Sequence, residues 1–281
     1  MRGLLLLLAA ATLVMGTQPM VPANATNAKG KWTLTFNDEF NSLDRAKWRI
    51  LNDCSTTNNC IYNDELQVYL ASQVSVSKGN LVIEANNVPY VSPSAGARRY
   101  RSGRMDTSGS FAQLHGRFEA RIKLPSGQGM WPAFWMMPRG GRCWPMDGEI
   151  DVLEYIGKRM PHTVHGNLHF ANACNRDLHS AANYCGVTGG AKTLALNDDF
   201  HIYAVEWTPT SLAWFVDGVQ YFKIDATQCR TKPAQLIPTK PFYLILNFAV
   251  GGDWPGNPDA TSTFPQRLYV DYVRVYKQSA L

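Results

Sequence analysis

Three carboxylates fall within six positions of one apolar segment, "GEIDVLEYIG", at residues 148–157. Alternation along a strand places Glu149 and Asp151 on one face, whereas Glu154, three residues further on, points to the other face. Two interpretations follow. Either Glu154 is an unrelated surface residue, or one extra residue between Asp151 and Glu154 bulges the strand and returns Glu154 to the face of the other two acids.

The second interpretation fits a known chemistry. Retaining hydrolysis of a glycosidic bond uses two carboxyl groups about 5 to 5.5 Å apart, one a nucleophile and the other an acid that then acts as a base. Glu149 and Glu154 fit this pair. Asp151 between them raises the energy of full ionisation, so that one of the group keeps its proton near neutral pH. The alternative is that all three acids face solvent, since acids on exposed strand faces are common.

Tryptophans cluster beside these acids. The segment "GQGMWPAFWMMP" contains Trp131 and Trp135, and "GRCWPMDGE" adds Trp144 just before Glu149. Flat indole faces stack on pyranose rings while carboxylates bond the sugar hydroxyls. The cluster therefore favours a carbohydrate cleft, against the alternative that the tryptophans only fill the core.

The elements around these residues are short alternating or apolar segments bounded by Gly, Pro, Asn, Asp or Ser, which is typical of an all-β sandwich or barrel. The clearest are "LVIEA" at 81, "GRFEARIKL" at 116, "HIYAVEW" at 201, "LAWFVDG" at 212, "FYLILNFAV" at 242 and "LYVDYVRVY" at 268. In "GRFEARIKL" the apolar residues alternate with charged ones, so one face meets the core and the other does not. We expect two packed antiparallel sheets.

The chain of 281 residues starts with "MRGLLLLLAAATLVMG", a cationic start followed by an apolar run of signal-peptide length. This run is too short and too near the terminus for a membrane anchor. We expect a signal peptide over residues 1–25, cleaved after Gly16 or Ala25, one domain over residues 26–281, and a secreted, extracellular protein without a membrane partner. The formal net charge of +5 is too small and dispersed to indicate nucleic-acid binding.

An even number of cysteines in a secreted chain favours disulfides over thiol catalysis or zinc. Six cysteines allow about fifteen pairings. Loop closure costs least for near neighbours, which predicts Cys54–Cys60 and Cys174–Cys185 and leaves Cys143 with Cys229.

The acidic segment has the form E-x-D-x-x-E, and further motifs follow in order: "FNDEF" at 36, "NDELQVY" at 63, "SGRMDT" at 102, "GRFEARIKLPSGQGMWPAFWMMP" at 116, "HGNLHF" at 165, "FHIYAVEWTP" at 200, "NFAVGGDWPG" at 247 and "VDYVRVY" at 270. Together they resemble the laminarinase branch of glycoside hydrolase family 16 over most of the chain. The resemblance implies a concanavalin-like jelly-roll β-sandwich of two curved antiparallel sheets with a concave substrate cleft. It also implies a retaining endo-β-1,3-glucanase that cuts laminarin-type glucans.

The resemblance also implies roles for single residues. Glu149 would be the nucleophile, Glu154 the acid/base and Asp151 the assisting acid, and His169 would sit by the acid/base and orient or polarise it. No cofactor is implied for catalysis.

Sugar-binding roles follow from the same resemblance. Trp131 and Trp135 would line the subsites nearest the cut, with Trp144 beside them. Asn63, Glu65 and Arg104 would bond glucose hydroxyls on the non-reducing side, and Trp254 would flank the opposite rim. The chain departs from the branch at Asp64, where a second Asn is common, and in its cysteine set.

Family members often carry a structural calcium ion on the convex side, and Glu39, Gly79 and Asp271 occupy the matching positions. A hard cation with few protein oxygens and several waters would suit them; the alternative is that Glu39 and Asp271 only cap strand ends. A zinc site at His165, His169 and Cys174 is discounted, because that segment is predicted to be a strand and its cysteine oxidised.

Other functions remain open at this point. The same fold could act on mixed-linkage β-1,3-1,4-glucan, agarose or carrageenan, since loops decide the substrate. It could also be a non-catalytic β-glucan recognition protein, although such proteins tend to lose the two glutamates that this chain keeps. The expected partner is β-1,3-glucan, and the expected state is a monomer.

Overall fold

The computed structural model describes residues 32–53, 60–93, 96–157, 162–178, 188–192, 196–226 and 236–278. The predicted signal peptide and its cleavage sites lie outside these residues. No helix in the described ranges is long and apolar enough to cross a membrane.

The described chain consists of strands and one 3-10 turn, at Ala71–Gln73. The strands are β1 (Trp32–Asp38), β2 (Arg49–Ile50), β3 (Gln67–Tyr69), β4 (Val74–Ser77), β5 (Asn80–Ala85), β6 (Tyr90–Ser92), β7 (Gly96–Arg98), β8 (Tyr100–Ser102), β9 (Arg104–Asp106), β10 (Gly116–Lys123), β11 (Met130–Pro138), β12 (Glu149–Tyr155), β13 (Thr163–His169), β14 (Thr188–Lys192), β15 (His201–Trp207), β16 (Ser211–Val216), β17 (Val219–Asp225), β18 (Phe242–Val250) and β19 (Gln266–Gln278).

Two antiparallel sheets carry most of these strands, as predicted. The first, called the back sheet below, has the order β17-β16-β15-β10-β19-β5-β4, with β1 also paired to β19. The second, called the site sheet, has the order β14-β13-β12-β11-β18-β9-β2. Two small pairs, β3 with β8 and β6 with β7, lie beside them. The many crossovers between non-consecutive strands agree with a jelly-roll sandwich.

The core lies between the sheets and takes alternate residues from both. Phe118 and Ile122 of β10 face Phe134 and Met136 of β11, and all four are fully buried. Burying a side chain of this size stabilises a fold by roughly 1.5 to 3 kcal/mol. The alternation predicted for β10 is therefore confirmed on its core face.

The other face of β10 differs from a solvent-facing surface. Arg117 and Glu119 are both buried there and form an ion pair of 2.8 Å. Glu206 of β15 and the ring of Phe215 also pack on Arg117. A buried charge is tolerated when it is paired and hydrogen-bonded. The alternating sequence pattern predicted the core face of β10 correctly, but it did not reveal this buried ion pair on the other face.

The predicted bulge is present in β12. On the β13 side, Asp151 lies opposite Asn167 and Glu154 opposite His165, so that two residues of β12 between these pairs oppose one residue of β13. On the β11 side, Asp151 and Leu153 have consecutive partners, so the unpaired residue is Val152. Val152 and Leu153 both pack in the core, although neighbours on a regular strand would face opposite ways. The extra residue therefore returns Glu154 to the face of Asp151.

A back-sheet tryptophan supports this bulge. The indole Nε1 of Trp214, on β16, donates to the backbone oxygen of Asp151 at 2.7 Å. It reaches that oxygen across Gly166 of β13, where a Cβ atom would come within 2.3 Å of the indole ring. A bulge disturbs the ladder hydrogen bonds, and a buried carbonyl needs a partner. Trp214 supplies one from the opposite sheet.

The disulfide prediction is wrong at two of its three pairs. Cys143 is bonded to Cys174, so neither Cys174–Cys185 nor Cys143–Cys229 forms. The reason is the β12–β13 hairpin: Glu149 starts one strand and lies opposite His169, the end of the other, so the segments before and after the hairpin meet at one end. Cys60 is also disulfide-bonded, to a cysteine outside the described residues, and the prediction of Cys54 as its partner lies there too.

Candidate active site

Neighbouring strands of the site sheet bring the four predicted catalytic residues together. Glu149, Asp151 and Glu154 share the outer face of β12, and His169 of β13 lies directly opposite Glu149. Oxygen atoms of Glu149 and Asp151 and a ring nitrogen of His169 all lie within 4.8 Å of one another. Asp151 is buried and the other three are partly buried, so the acids interact through a medium that screens them poorly.

Glu149 is held by a tryptophan and a histidine. The Trp144 Nε1 donates to Glu149 Oε2 at 2.8 Å, and His169 Nε2 lies 3.9 Å from Oε1. Burial raises the pKa of the Glu149 carboxyl, while the positive charge of His169 and the Trp144 hydrogen bond oppose the rise. Both opposing effects favour the ionised form.

Glu154 has a different set of neighbours. Trp131 Nε1 donates to Glu154 Oε1 at 3.1 Å, and the Asn167 amide donates to Oε2. Burial raises the pKa of the Glu154 carboxyl, and the negative charge of Asp151 raises it further. Because two like charges in one buried site disfavour each other, Glu154 keeps its proton to higher pH than an exposed glutamate.

His169 lies at the centre of the acidic cluster. Its Nδ1 is 2.7 Å from Asp177 Oδ2 and its Nε2 is 3.3 Å from Asp151 Oδ2. Burial by itself lowers the pKa of His169, but the hydrogen bonds to Asp151 and Asp177 and the charge of Glu149 raise it well above its usual value. Each ring nitrogen of His169 thus faces a carboxylate, an arrangement that favours the charged form of the ring. The resemblance placed His169 beside Glu154, whereas the structure places it opposite Glu149, from where its charge also acts on Glu154.

The tryptophans predicted to line the nearest subsites flank the acids on β11. Trp131 and Trp135 lie on the same face as Ala133, which is opposite Glu154. The Trp254 ring packs edge-on against Trp131, with centroids 5.6 Å apart. Trp254 therefore lies on the Glu154 side of the site, next to Trp131, and Trp144 lies at the Glu149 end.

Predicted sugar-binding residues on the other side form a polar network. Glu65 accepts hydrogen bonds from Gln67 and from the Tyr69 hydroxyl. That hydroxyl accepts from the Asn247 amide at 3.0 Å, and the Asn247 oxygen accepts from Trp135 Nε1 at 2.7 Å. Burial raises the pKa of Glu65 to about 7.

Arg104 and Asn63 complete this side. The Arg104 guanidinium lies 5.1 Å from the centroid of the Trp135 ring, within the range of a cation–π contact. Asn63 is exposed at a turn with φ of 51°, and its backbone oxygen accepts from Asp253. The structure thus places Arg104 and Glu65 in the wall of the site and Asn63 at its rim.

Three residues of the site escaped the sequence analysis: Asn167, Asp177 and Asn247. Asn167 could have been found, because it lies two positions before His169 and alternation puts both on one face. Asn247 lies inside an apolar segment, where a lone amide is a weak signal of a hydrogen-bond network. Asp177 follows β13 in a loop, and only the folded chain reveals its bond to His169.

The predicted calcium site does not fit a cation in the arrangement that its carboxylates have here. Glu39 forms a double hydrogen bond with Arg274, and Asp271 pairs with Arg121 at 2.7 Å, so both carboxylates of the predicted calcium set already bind arginines. Calcium binding there stays a prediction and would require both pairs to open.

Comparisons with known proteins agree with this geometry. The family model for glycosyl hydrolases family 16 matches residues 58–274. The beta-glucanase of Rhodothermus marinus is 37% identical over 275 residues, which cover 92% of this chain and 90% of that protein. Glucan endo-1,3-beta-glucosidase A1 of Niallia circulans is 38% identical over 265 residues, which cover 87% of this chain but 38% of that longer protein.

A solved structure extends the likeness to three dimensions. The endo-beta-1,3-glucanase from Pyrococcus furiosus aligns with a TM-score of 0.78 and 35% identity, over 90% of this chain and 97% of that one. The family model, the relatives and the fold point to one family. The chain belongs to glycosyl hydrolases family 16.

Proposed function

We propose that the protein is a secreted endo-β-1,3-glucanase that hydrolyses laminarin-type β-glucans with retention of anomeric configuration. The observation that carries this proposal is the bulge of β12, which places Glu149 and Glu154 on one face with different charged neighbours. The names of similar proteins, a beta-glucanase and two endo-1,3-beta-glucan hydrolases, support the substrate class. Secretion is inferred from the apolar N-terminal segment alone.

In the first step, the ionised Glu149 carboxylate attacks the anomeric carbon and forms a covalent glycosyl-enzyme. Glu154 transfers its proton to the glycosidic oxygen as the bond to the leaving sugar breaks. The raised pKa of Glu154 keeps that proton available near neutral pH. The charge of His169 and the Trp144 hydrogen bond favour the ionised form of Glu149, which attack requires.

In the second step, Glu154 has lost its proton and acts as a base. It removes a proton from a water molecule, whose oxygen attacks the anomeric carbon and releases Glu149. Two inversions at the same carbon give net retention. Asp151 raises the pKa of Glu154, so its charge favours the return of the proton at the end of the cycle.

The walls of the site fit a polysaccharide. Trp131, Trp135 and Trp144 offer apolar rings beside the carboxylates, and Arg104 and Glu65 offer charged groups for hydroxyls on one side. Stacking on indole faces, combined with a few fixed polar groups, is a common way to bind sugars. We infer that glucose units bind along this face on both sides of the acids.

An assay panel tests the substrate and the mechanism together. The purified protein is given laminarin, lichenan, agarose and carrageenan, and products are identified by linkage. We expect rapid release of β-1,3-linked oligosaccharides from laminarin, with new reducing ends that NMR first detects as the β-anomer. Early appearance of the α-anomer would contradict retention. Preferential cutting of lichenan, agarose or carrageenan would show that this polysaccharide, not laminarin, is the substrate. Binding without release of reducing sugar would make the protein a non-catalytic recognition protein.

A further inference from the structure

The loop that carries Trp144 is tied to a second loop by a covalent bond. Cys143 precedes Trp144 in the segment between β11 and β12, and Cys174 lies in the segment after β13. The two cysteines are bonded, with Cα atoms 5.4 Å apart. Next to this bond, the backbone N–H of Asn175 donates to the backbone oxygen of Trp144 at 2.8 Å. The two segments are therefore joined at adjacent residues by one covalent bond and one hydrogen bond.

Each of the joined loops supplies a partner to the catalytic cluster. The Trp144 indole donates to Glu149 Oε2 at 2.8 Å, and its ring centroid lies 5.8 Å from that of His169. Asp177, three residues after Cys174, binds the far nitrogen of His169 at 2.7 Å. The disulfide thus connects the loop of Trp144, which donates to Glu149, to the loop of Asp177, which binds His169.

Burial alone does not fix Trp144 in place. The residue is 38% exposed and belongs to the glycine-containing segment "RGGRCWPMDG". The buried Asp147 anchors other parts of this segment through Arg142 and Lys240. Closest to Trp144 are the disulfide of its neighbour Cys143 and the hydrogen bond from Asn175 to the Trp144 backbone oxygen.

We propose that the Cys143–Cys174 disulfide is a positioning element for the nucleophile, since it holds the Trp144 indole N–H on Glu149 and joins it to the loop that orients His169. The inference rests on the proposed role of Glu149 as nucleophile. A hydrogen bond to a carboxylate favours its charged form. Breaking the disulfide lets the indole leave, so that Glu149 takes up a proton at higher pH and the acidic limb of kcat/KM moves upward.

Other titratable groups also act on Glu149, independently of the Trp144 indole. They are His169, Glu154 and Asp177, with Tyr62 and Tyr243 at longer range. The effect of the disulfide must therefore be separated from theirs. A double-mutant cycle does this, because it isolates the part of the effect that passes through one side chain.

The cycle combines C143S/C174S with Trp144→Phe, which keeps an aromatic ring but removes the indole donor. We expect each change to move the acidic limb of kcat/KM on laminarin upward, by about one pH unit for Trp144→Phe, as expected for the loss of one hydrogen bond to a charged group. The combined variant should move it no further than Trp144→Phe. The proposal would be overturned if C143S/C174S left the acidic limb of kcat/KM unmoved. It would also be overturned if the combined variant showed the full sum of the two separate shifts.

Reduction of the folded protein repeats the cycle should C143S/C174S fail to fold. Dithiothreitol gives two electrons to the disulfide, leaves two cysteine thiols and is itself oxidised to a cyclic disulfide. Any effect of reducing the bond at Cys60 is common to the parent and Trp144→Phe. We expect the acidic limb to move in the parent but not in Trp144→Phe, and equal movement in both would count against the proposal.

A readout without substrate separates this inference from the proposed function. In ¹⁵N-labelled parent, the Trp144 indole N–H signal, assigned by its absence in Trp144→Phe, should shift as Glu149 titrates. In C143S/C174S that shift should shrink or vanish. Failure of the parent to cut any glucan refutes the proposed function alone, whereas an unchanged indole titration in C143S/C174S refutes the positioning role alone.

Discussion

At the scale of single residues, two glutamates of one strand differ because their neighbours differ. Both receive an indole hydrogen bond and feel the charge of His169, but the negative charge of Asp151 raises the pKa of Glu154. The sequence was sufficient to identify both glutamates, since their type and spacing suggested the reaction. Alternation could also have placed Asn167 on the face of His169, but the contact of Asp177 with His169 depends on a loop and could not be predicted.

Replacing the nucleophile tests the assignment directly. Glu149→Gln keeps the size of the side chain but removes the charge that attacks the anomeric carbon. We expect kcat on laminarin to fall by a factor of about 10³ or more, with thermal stability close to that of the parent. A rate within tenfold of the parent would show that Glu149 is not the nucleophile.

Asp151→Asn tests the source of the proton on Glu154. Glu154 must be protonated to act as an acid, so activity is lost as pH rises through its pKa, which Asp151 raises. Removing that charge should move the basic limb of the kcat/KM profile to lower pH, by about one pH unit. Asp177→Asn removes a charge that acts on Glu149 instead and serves as the comparison. A basic limb unmoved by Asp151→Asn would remove Asp151 from this role.

At the scale of the elements, the bulge in β12 depends on both sheets. The extra residue was predictable from the offset between Asp151 and Glu154, because strand alternation leaves no other way to bring three acids to one face. What supports it was not predictable: Trp214 crosses the core from the back sheet, and Gly166 leaves room for its ring. The geometry of the catalytic strand is thus stabilised from the opposite side of the sandwich.

Two buried tryptophans of the back sheet form a matched pair to test this support. Trp214→Phe removes the donor to the Asp151 backbone oxygen, whereas Trp207→Phe removes an indole N–H that has no hydrogen-bond partner among the described residues. Both variants lose similar volume and should lower the Tm. We expect only Trp214→Phe to lower kcat, by about tenfold, when both are assayed well below their Tm. Equal kcat values in the two variants would show that the Trp214 hydrogen bond to the bulge does not affect catalysis.

At the scale of the whole molecule, local reasoning about cysteines failed where reasoning about strands succeeded. Short loops close most easily, but the β12–β13 hairpin brings Cys143 and Cys174 together although 31 residues separate them. Closing a loop of this length stabilises a protein by roughly 3 to 5 kcal/mol in the chain-entropy account. The all-β class was predictable because the same kind of sequence pattern recurs in many strands. A single disulfide depends instead on which two loops lie next to each other in the folded chain.

The buried Glu65 makes the stability of the whole fold depend on pH. Its pKa in the folded protein is about 7, above the value of an exposed glutamate, so the folded state disfavours its charge. Stability is then lost as pH rises from about 4.5 to about 7, at a cost of roughly 2 to 4 kcal/mol. We expect Glu65→Gln to raise the Tm at pH 8 and to leave it equal or lower at pH 4.5. Thermal melts at both values check this, and an equal change at both would contradict it.

Trp131 and Trp144 each donate an indole N–H to one catalytic carboxylate, and this pairing has an optical consequence. Indole emission responds to the charge and hydrogen bonding of its surroundings, so each tryptophan reports on the glutamate that it contacts. The protein therefore carries its own fluorescent probes, one in contact with Glu149 and one in contact with Glu154. Emission from Trp144 should follow the acidic limb of activity and emission from Trp131 the basic limb, with no label attached and no sugar present.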